Sequence, residues 1–364
     1  MNIQCSVVIR LMILLTVAVP VVWAQTTTPF PIARTRPDGA PNLAAWMAEG
    51  RFGLMVHYLP RPLDGSREER QAWLDRTVDA FDLDGFMRQF EAIGADWLIF
   101  TLTQTNGVMT SPNPMLDPKA AQLVARRDLV MEIAQRIRQA NKRLILYLPS
   151  YFDGGFMARM VSKPDDFTQW YLQFVRAYSE KFGRLHHGWW FDSCSTLSLE
   201  EWRRWIAACR AGNPDAVVAF SGAEFCTGGP IEPRCPIEDY HAGEIHVLDG
   251  GRIRRDFLVP GGTYFLRPDG VLQKEGQEPR YYMPDGQFLG GVQWHALLPI
   301  DLTFNPAIPD RMCRYSDREL FGFVTAVKSV GGAITINVPI DIQTGLIPVD
   351  SHAQLVRLRR YLEK

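Results

Sequence analysis

The stretch Gly188-Trp189-Trp190-Phe191-Asp192 carries the pattern on which the fold prediction rests. An unbroken apolar run that ends on one acid is typical of a parallel β-strand covered on both faces. Because side chains alternate along a strand, Trp190 and Asp192 lie on the same face. We therefore predict a buried strand over 188–191 whose carboxyl end presents an acid.

Four other β-rich runs bounded by turn residues surround this stretch, and helix-like segments follow all but the last run. The runs are 52–58, 97–103, 143–148 and 216–220. The intervening segments carry apolar stripes, such as Leu129, Ile133 and Ile137, that can pack on a sheet. Repeated β-α units favour an α/β fold of the (β/α)8-barrel type. The alternative, an open doubly wound sheet, is less favoured because no Gly-x-Gly-x-x-Gly motif for binding a dinucleotide follows an early strand.

The domain organisation predicted from the sequence is one catalytic barrel over 45–364, preceded by an irregular lead-in over 25–44. Residues 221–315 are rich in Gly and Pro and predict an inserted loop and hairpin region, with Pro-Asp-Gly turns at 268–270 and 284–286. A helix over 317–329, a strand over 333–338 and a terminal helix follow, without a C-terminal β-sandwich.

The first 24 residues have the pattern of a secretory signal peptide: Arg10, an apolar run over 11–22, and Ala24 before the expected cut at Gln25. We therefore expect a secreted or periplasmic protein. Of the five cysteines that remain, Cys226 and Cys235 form the pair first expected to be bridged.

Composition narrows the function classes. The chain has 364 residues, 46% of them hydrophobic and 22% charged, which is typical of a folded globular protein. A formal net charge of −1 argues against a nucleic-acid partner. Beyond the leader no apolar stretch is long enough to predict a membrane span. A Gly-x-Ser-x-Gly elbow of serine hydrolases is missing, and no Cys or His spacing suggests a metal.

Reactive groups of (β/α)-barrels lie at the carboxyl ends of the strands. Polar residues close the predicted strands there: His57, Thr103, Gln104, Ser150, Asp192 and Asn337. Asp192 stands out because Ser195 or Ser198 is better placed to cap the next helix. Aromatic rings that cover sugar faces are abundant near strand ends and in loops, Trp190 and Trp294 among them.

Glycoside hydrolysis needs two carboxyl groups, one on each side of the scissile bond, and Asp192 can supply only one of them. The residues alone leave three candidates for it, all in the loops after the fifth strand: Glu224, Glu238 and Glu244.

Several segments, taken in order, resemble family 29 glycoside hydrolases, the α-L-fucosidases. The similar segments are 51–57, 81–95, 127–130 with 144–147, 190–192, and 331–338 with 345–348. The resemblance implies a barrel, with Asp192 as the nucleophile of a retaining reaction through a covalent glycosyl-enzyme. It also implies a sugar contact for His57. The run Tyr240-His241-Ala242-Gly243-Glu244 loosely resembles the family's Tyr-x-x-Pro-Glu, which favours Glu244 as acid/base.

The second strand departs from the family pattern. Gln104-Thr105-Asn106-Gly107 stands where α-L-fucosidases carry a His-His-Asp-Gly run that reads fucose hydroxyls, so the sugar specificity is open.

We therefore expect an exported, retaining exo-glycosidase of the α-L-fucosidase type that acts on an oligosaccharide or glycoconjugate without a metal or organic cofactor. The residues expected to shape its sugar pocket are His57, Gln104, Asn106, Tyr147, Trp190 and Trp294. The alternative is a non-catalytic carbohydrate-binding protein on a degenerate glycosidase barrel. The oligomeric state stays open.

Overall fold

The computed structural model describes residues 30–61, 64–104, 108–116, 123–150, 166–222, 232–244, 248–249, 252–253, 286–300 and 315–364. The centre of these ranges is a parallel, curled seven-stranded sheet with helices packed on its outer face. This architecture agrees with the predicted α/β barrel-like fold.

The strands follow the apolar runs of the sequence. In chain order they are β1 Gly53–Val56, β2 Trp97–Thr101, β3 Val108–Met109, β4 Leu123–Val124, β5 Arg143–Pro149, β6 Gly188–Asp192, β7 Val217–Phe220, β8 Leu248–Asp249, β9 Arg252–Ile253, β10 Phe288–Leu289, β11 Val292–Gln293, β12 His295–Pro299 and β13 Ala333–Val338. The large sheet has the order β12-β13-β1-β2-β5-β6-β7, and the remaining strands form three two-stranded pairs.

Five of the helices begin after an Asp or Ser whose side chain caps them. They are α1 Ala45–Glu49, α2 Arg67–Asp79, α3 Leu83–Ile93, α4 Leu129–Gln139, α5 Phe167–Phe182, α6 Leu199–Cys209, α7 Asp317–Ser329 and α8 Val349–Leu362, with a 3₁₀ turn at Gly183–Leu185. Asp82 and Asp128 cap α3 and α4. Ser198 caps α6 through a capping box with Glu201, which leaves Asp192 out of that structural role.

Residues 239–244 link the two edges of the sheet. The amide of Asp239 donates to Val218 O at 2.9 Å on β7. Towards β12, the amide of His241 donates to Gln293 O at 3.0 Å and that of Leu297 to Gly243 O at 2.6 Å. Parallel bridges pair Tyr240 with Gln293 and Glu244 with Leu297. This segment therefore runs between β7 and β12, in the position of a closing strand.

Alternation along the strands separates two buried clusters. The outer cluster packs the sheet against the helices and includes Leu98, Trp189 and Phe191. The inner cluster faces the sheet's concave side and includes Tyr147 and Trp190. Because Asp192 has the parity of Trp190, its side chain belongs to the inner side, at the carboxyl edge.

Sequence reasoning was wrong about part of 221–315, since β12 and the 239–244 segment belong to the barrel wall rather than to irregular loops. The Pro-Asp-Gly turn at 268–270 and residues 284–285 lie outside the described residues, and β10 pairs with β11 just after the second turn. Cys226 also lies outside them, while Cys235 is a buried free thiol, so the expected bridge is not formed at Cys235. None of the described helices is long and apolar enough to cross a membrane.

Candidate active site

The carboxyl edge of the sheet brings together residues that are distant in sequence. His57 directly follows β1, Gln104 lies just beyond β2, and Asp192 is the last residue of β6. Tyr147 of β5 is in register with Trp190 of β6, one inward position below Asp192. Because the strands are parallel and in register, their polar ends converge on one opening.

Asp192 accepts hydrogen bonds on both carboxylate oxygens. Its Oδ2 accepts from the Tyr147 hydroxyl at 2.5 Å and from Gln104 Nε2 at 3.3 Å. Gln104 Nε2 also donates to the Tyr147 hydroxyl oxygen at 2.7 Å, so the three side chains form a closed triangle. The Oδ1 atom accepts from Ser193 Oγ at 3.2 Å. The carboxylate is half-buried, so it is both oriented and reachable.

Tyr147 and Trp190 form the floor below this carboxylate. Their rings stack with centroids 5.1 Å apart and 14° between planes, and both side chains are almost fully buried. Burial, reinforced by the negative charge of Asp192, raises the pKa of Tyr147 well above its usual value. Tyr147 therefore stays a neutral hydrogen-bond donor. Trp190 packs against Tyr147 and does not present an open ring face.

His57 borders the same opening. Its Nδ1 lies 3.3 Å from Asn337 Oδ1 on β13, and its ring packs edge-on against Tyr147 at 5.2 Å. Burial lowers the pKa of His57, and the nearby Asp192 carboxylate partly offsets that effect. The imidazole is therefore neutral around pH 7.

The turn after Asp192 is held in an unusual conformation. Ser193 has a left-handed φ of 56°, which costs a non-glycine residue about 1 kcal/mol or more. Ser150 clamps this turn: its amide donates to Asp192 O and its hydroxyl to Ser193 O, both at 2.8 Å. The strained turn is thereby fixed by the neighbouring strand, which sets the direction of the Asp192 side chain.

Glu244 supplies a second carboxylate at this edge. Its backbone is bridged to Leu297 of β12, and its Oε2 accepts a hydrogen bond from the hydroxyl of Ser221, the residue after β7. The negative charges of Asp192 and Glu244 both contribute to raising the pKa of Tyr147. The arrangement offers two acids on separate elements facing one site, which suits general acid/base and nucleophilic chemistry.

The two alternative acids differ from Glu244. Glu238 is completely buried, and its carboxylate accepts from the backbone amides of Phe220 at 2.9 Å and Arg234 at 3.0 Å. Burial raises its pKa well above the usual value. Glu238 therefore ties a loop to β7 and is not open to a substrate. Glu224 lies outside the described residues, as does Asn106 of the predicted sugar pocket.

Trp294 is not brought to the site. It precedes β12, at the amino end of the strands, and packs in the outer cluster against Gly332. Trp294 lies two residues before Ala296 and four before Leu298, so the three side chains point to the same face of the sheet, toward the helices. The expectation that Trp294 shapes the sugar pocket is therefore wrong, because aromatic character alone does not indicate which end of a strand a residue occupies.

Sequence reasoning missed Ser221 and the contact of Tyr147 with Asp192. Ser221 is a polar residue closing an apolar run, which is the signal that singled out Ser150 and Asn337. Within the described ranges no group of three or more His, Cys, Asp and Glu side chains is arranged to hold a metal ion.

No protein-family model matches the chain, and no curated protein matches it either. Solved structures do share its fold. The endo-fucoidan hydrolase MfFcnA9 from glycoside hydrolase family 107 superposes with a TM-score of 0.60 at 16% identity, over 88% of this chain and 64% of that one. The chain thus spans less than two thirds of MfFcnA9.

Two further solved structures superpose over most of their own length. The endo-fucoidan hydrolase P5AFcnA, also of family 107, gives 0.57 at 16% identity over 89% and 94% of the two chains. The Thermotoga maritima α-fucosidase in complex with fucose gives 0.56 at 16% identity over 91% and 74%. At these identities the likeness shows a common fold.

Proposed function

We propose that this protein is an exported glycoside hydrolase that removes a terminal α-L-fucose or a closely related sugar with retention of configuration. The observation that carries the proposal is the Asp192 carboxylate, held at the opening of a barrel by Tyr147 and Gln104, with Glu244 facing the same site. The fold is shared with fucoidan hydrolases and α-fucosidases, which supports this substrate class.

Asp192 is the proposed nucleophile. The donors on Oδ2, Tyr147 and Gln104, fix the plane of the carboxylate. Oδ2 accepts from these two donors and Oδ1 from the Ser193 hydroxyl alone, so Oδ1 is the oxygen proposed to attack the anomeric carbon. The bond from that carbon to the leaving oxygen breaks as the ester to Asp192 forms.

Glu244 is the proposed acid/base. In the first step its carboxyl group gives a proton to the leaving oxygen and becomes a carboxylate. In the second step that carboxylate takes a proton from water, whose oxygen attacks the anomeric carbon and releases Asp192.

Gln104 bears on sugar specificity. Its side-chain nitrogen Nε2 donates to Asp192 and Tyr147, and its side-chain oxygen Oε1 has no hydrogen-bond partner among the described residues. That oxygen is a fixed acceptor for a sugar hydroxyl, whereas a histidine can also donate or carry charge. His57 and Asn337 lie at the ends of β1 and β13, beyond Gln104 from Tyr147 in strand order, and provide the second set of polar contacts.

The alternative is a sugar-binding protein without catalysis, favoured by the replacement of the His-His pair. The two functions are separated by incubation with a fluorinated mechanism-based glycoside, followed by intact and peptide mass measurement. We expect a sugar-sized mass increase on the peptide containing Asp192, and none in Asp192→Asn.

A panel of aryl glycosides, with aryl α-L-fucoside as the first member, identifies the sugar. If the protein binds an oligosaccharide but hydrolyses no aryl glycoside and is not labelled, the result would contradict the glycosidase proposal and support the binding-protein alternative. Labelling of a different carboxylate would identify that residue, and not Asp192, as the nucleophile.

A further inference from the structure

Ser221 joins the strand of the proposed nucleophile to the proposed acid/base. It directly follows β7, and only 3% of its surface is exposed. Its amide donates to Phe191 O at 2.7 Å, and its carbonyl accepts from the amide of Cys194 at 2.6 Å. The Ser221 backbone is therefore hydrogen-bonded to the residues on either side of Asp192 and Ser193.

Glu244 approaches from the other edge of the sheet. Leu297 fixes its backbone by donating to Gly243 O, and Gly243 itself has a φ of 79°. A Cβ at Gly243 would lie 2.2 Å from His295 O, so only glycine permits this close approach to β12. With its backbone fixed on β12, Glu244 reaches Ser221, just beyond β7, through its side chain.

The hydroxyl of Ser221 suits a partner that changes protonation state. A serine hydroxyl is both a donor and an acceptor. It donates to Oε2 of Glu244, so that in the protonated form the acidic proton lies on Oε1 and is available to the leaving oxygen. An amide or a lysine at this place would fit one of the two states less well.

We propose that Ser221 is the positioning residue for Glu244: it holds the carboxyl group toward the leaving oxygen before proton transfer and donates a hydrogen bond to the carboxylate after it. The inference rests on the proposed function and adds a residue that acts only through the acid/base. When Glu244 gives the proton on Oε1 to the leaving oxygen, Ser221 keeps donating to Oε2 of the new carboxylate, and no proton leaves Ser221.

The test uses two aryl glycosides of the sugar that the wild-type enzyme cleaves, one with a dinitrophenyl and one with an unsubstituted phenyl leaving group. A dinitrophenolate leaves without a proton, whereas a phenolate needs the acid. For Ser221→Ala we expect kcat/KM to fall about tenfold to a hundredfold more on the phenyl substrate. Ser221→Thr keeps the hydroxyl and should retain the wild-type ratio of the two substrates. Glu244→Gln should change the ratio in the same direction and further.

Ser179→Ala is the matched control, because Ser179 is also buried and its hydroxyl also donates to a neighbour, Cys209 O, but on the outer side of the sheet. It should lower the melting temperature without changing the substrate ratio. If Ser221→Ala does not fold, Ser221→Cys, a weaker donor of similar volume, is compared with Ser221→Thr instead.

An equal loss on both substrates in Ser221→Ala, or the same change of ratio in Ser221→Thr, would overturn the role of Ser221 while leaving the glycosidase proposal intact. A wild-type protein that cleaves no glycoside would overturn the proposed function, and this inference with it.

Discussion

Two layers of polar side chains lie inside this barrel, at opposite ends of the sheet. They differ in how much of each side chain is exposed to solvent. At the amino end, the Trp97 indole donates to Thr335 Oγ1 at 2.8 Å, and His295 Nε2 lies 2.7 Å from the same oxygen. His295 Nδ1 faces His241 O at 3.0 Å. Trp97, His295 and Thr335 are completely buried. At the carboxyl end, Asp192 and His57 remain half-buried.

The hydrogen bonds of the amino-end layer determine its protonation. His295 Nδ1 faces a carbonyl and must carry the hydrogen, so Nε2 is an acceptor and the Thr335 hydroxyl donates to it. Thr335 can still accept from Trp97. Gly53 makes room for this indole, since a Cβ there would lie 2.0 Å from Trp97 Nε1. A layer whose donors and acceptors are matched stabilises one packing, whereas a layer with a reachable carboxylate can do chemistry.

The largest contrast is expected between Asp192 and a fully hydrogen-bonded structural carboxylate, Asp239. Asp192→Asn should lower kcat/KM on the order of 10⁴-fold with little change in stability, because a nucleophile is lost while the packing is kept. Asp239→Asn disturbs a buried pair in which Arg210 donates to both carboxylate oxygens at 2.9 and 2.7 Å. It should lower the free energy of unfolding by about 3 kcal/mol.

Urea unfolding and steady-state kinetics on both variants check this contrast. An Asp192→Asn protein with wild-type activity would show that Asp192 is not the nucleophile and that the two carboxylates do not differ in catalytic role.

The pH dependence of stability should come mainly from the amino end. Burial lowers the pKa of His295 to about 3 and that of His241 to about 4. The unfolded chain therefore binds protons below about pH 6.5 that the folded chain does not, and stability falls as the pH drops from there toward 4. His295→Gln should make the slope shallower by about 1.4 kcal/mol per pH unit in that window.

Unfolding free energies at several pH values between 4 and 7 measure the slope. His57→Gln is the comparison at the carboxyl end, where Asp192 opposes the effect of burial, and a smaller change in slope is expected. A larger change for His57 than for His295 would contradict the assignment.

The smallest effect concerns backbone strain. Ser193 and Asn141 are the non-glycine residues with positive φ in the described ranges, at 56° and 54°. Replacing either by glycine should stabilise the fold by up to about 1 kcal/mol. Ser193→Gly should also lower kcat/KM by less than tenfold, because the contact of Ser193 Oγ with Asp192 Oδ1 is lost.

Asn141→Gly, beyond the end of α4, provides the control and should leave kcat/KM unchanged. Thermal unfolding and kinetics on both proteins suffice. An equal effect of the two substitutions on activity would show that the Ser193 hydroxyl does not act on Asp192.

Local sequence signals determined much of this protein. Apolar runs gave β1, β2, β5, β6, β7 and β13 nearly to their observed bounds, because a strand buried on both faces needs a continuous apolar sequence. Asp82, Asp128 and Ser198, each before an apolar stripe, cap the starts of α3, α4 and α6. The ends of these strands were enough to name His57, Gln104 and Asp192 as neighbours, since parallel strands place their carboxyl ends at one edge.

The tertiary structure alone decided the rest. It placed the 239–244 segment between β7 and β12, paired Glu244 with Ser221, moved Trp294 to the outer cluster and made Glu238 a structural acid. In each case the deciding partner is distant in the chain or belongs to another element, and the acids, aromatics and glycines involved look alike in a linear sequence. Which of several similar side chains meets a cavity depends on strand parity, register and closure, and those are fixed only when the whole sheet has assembled.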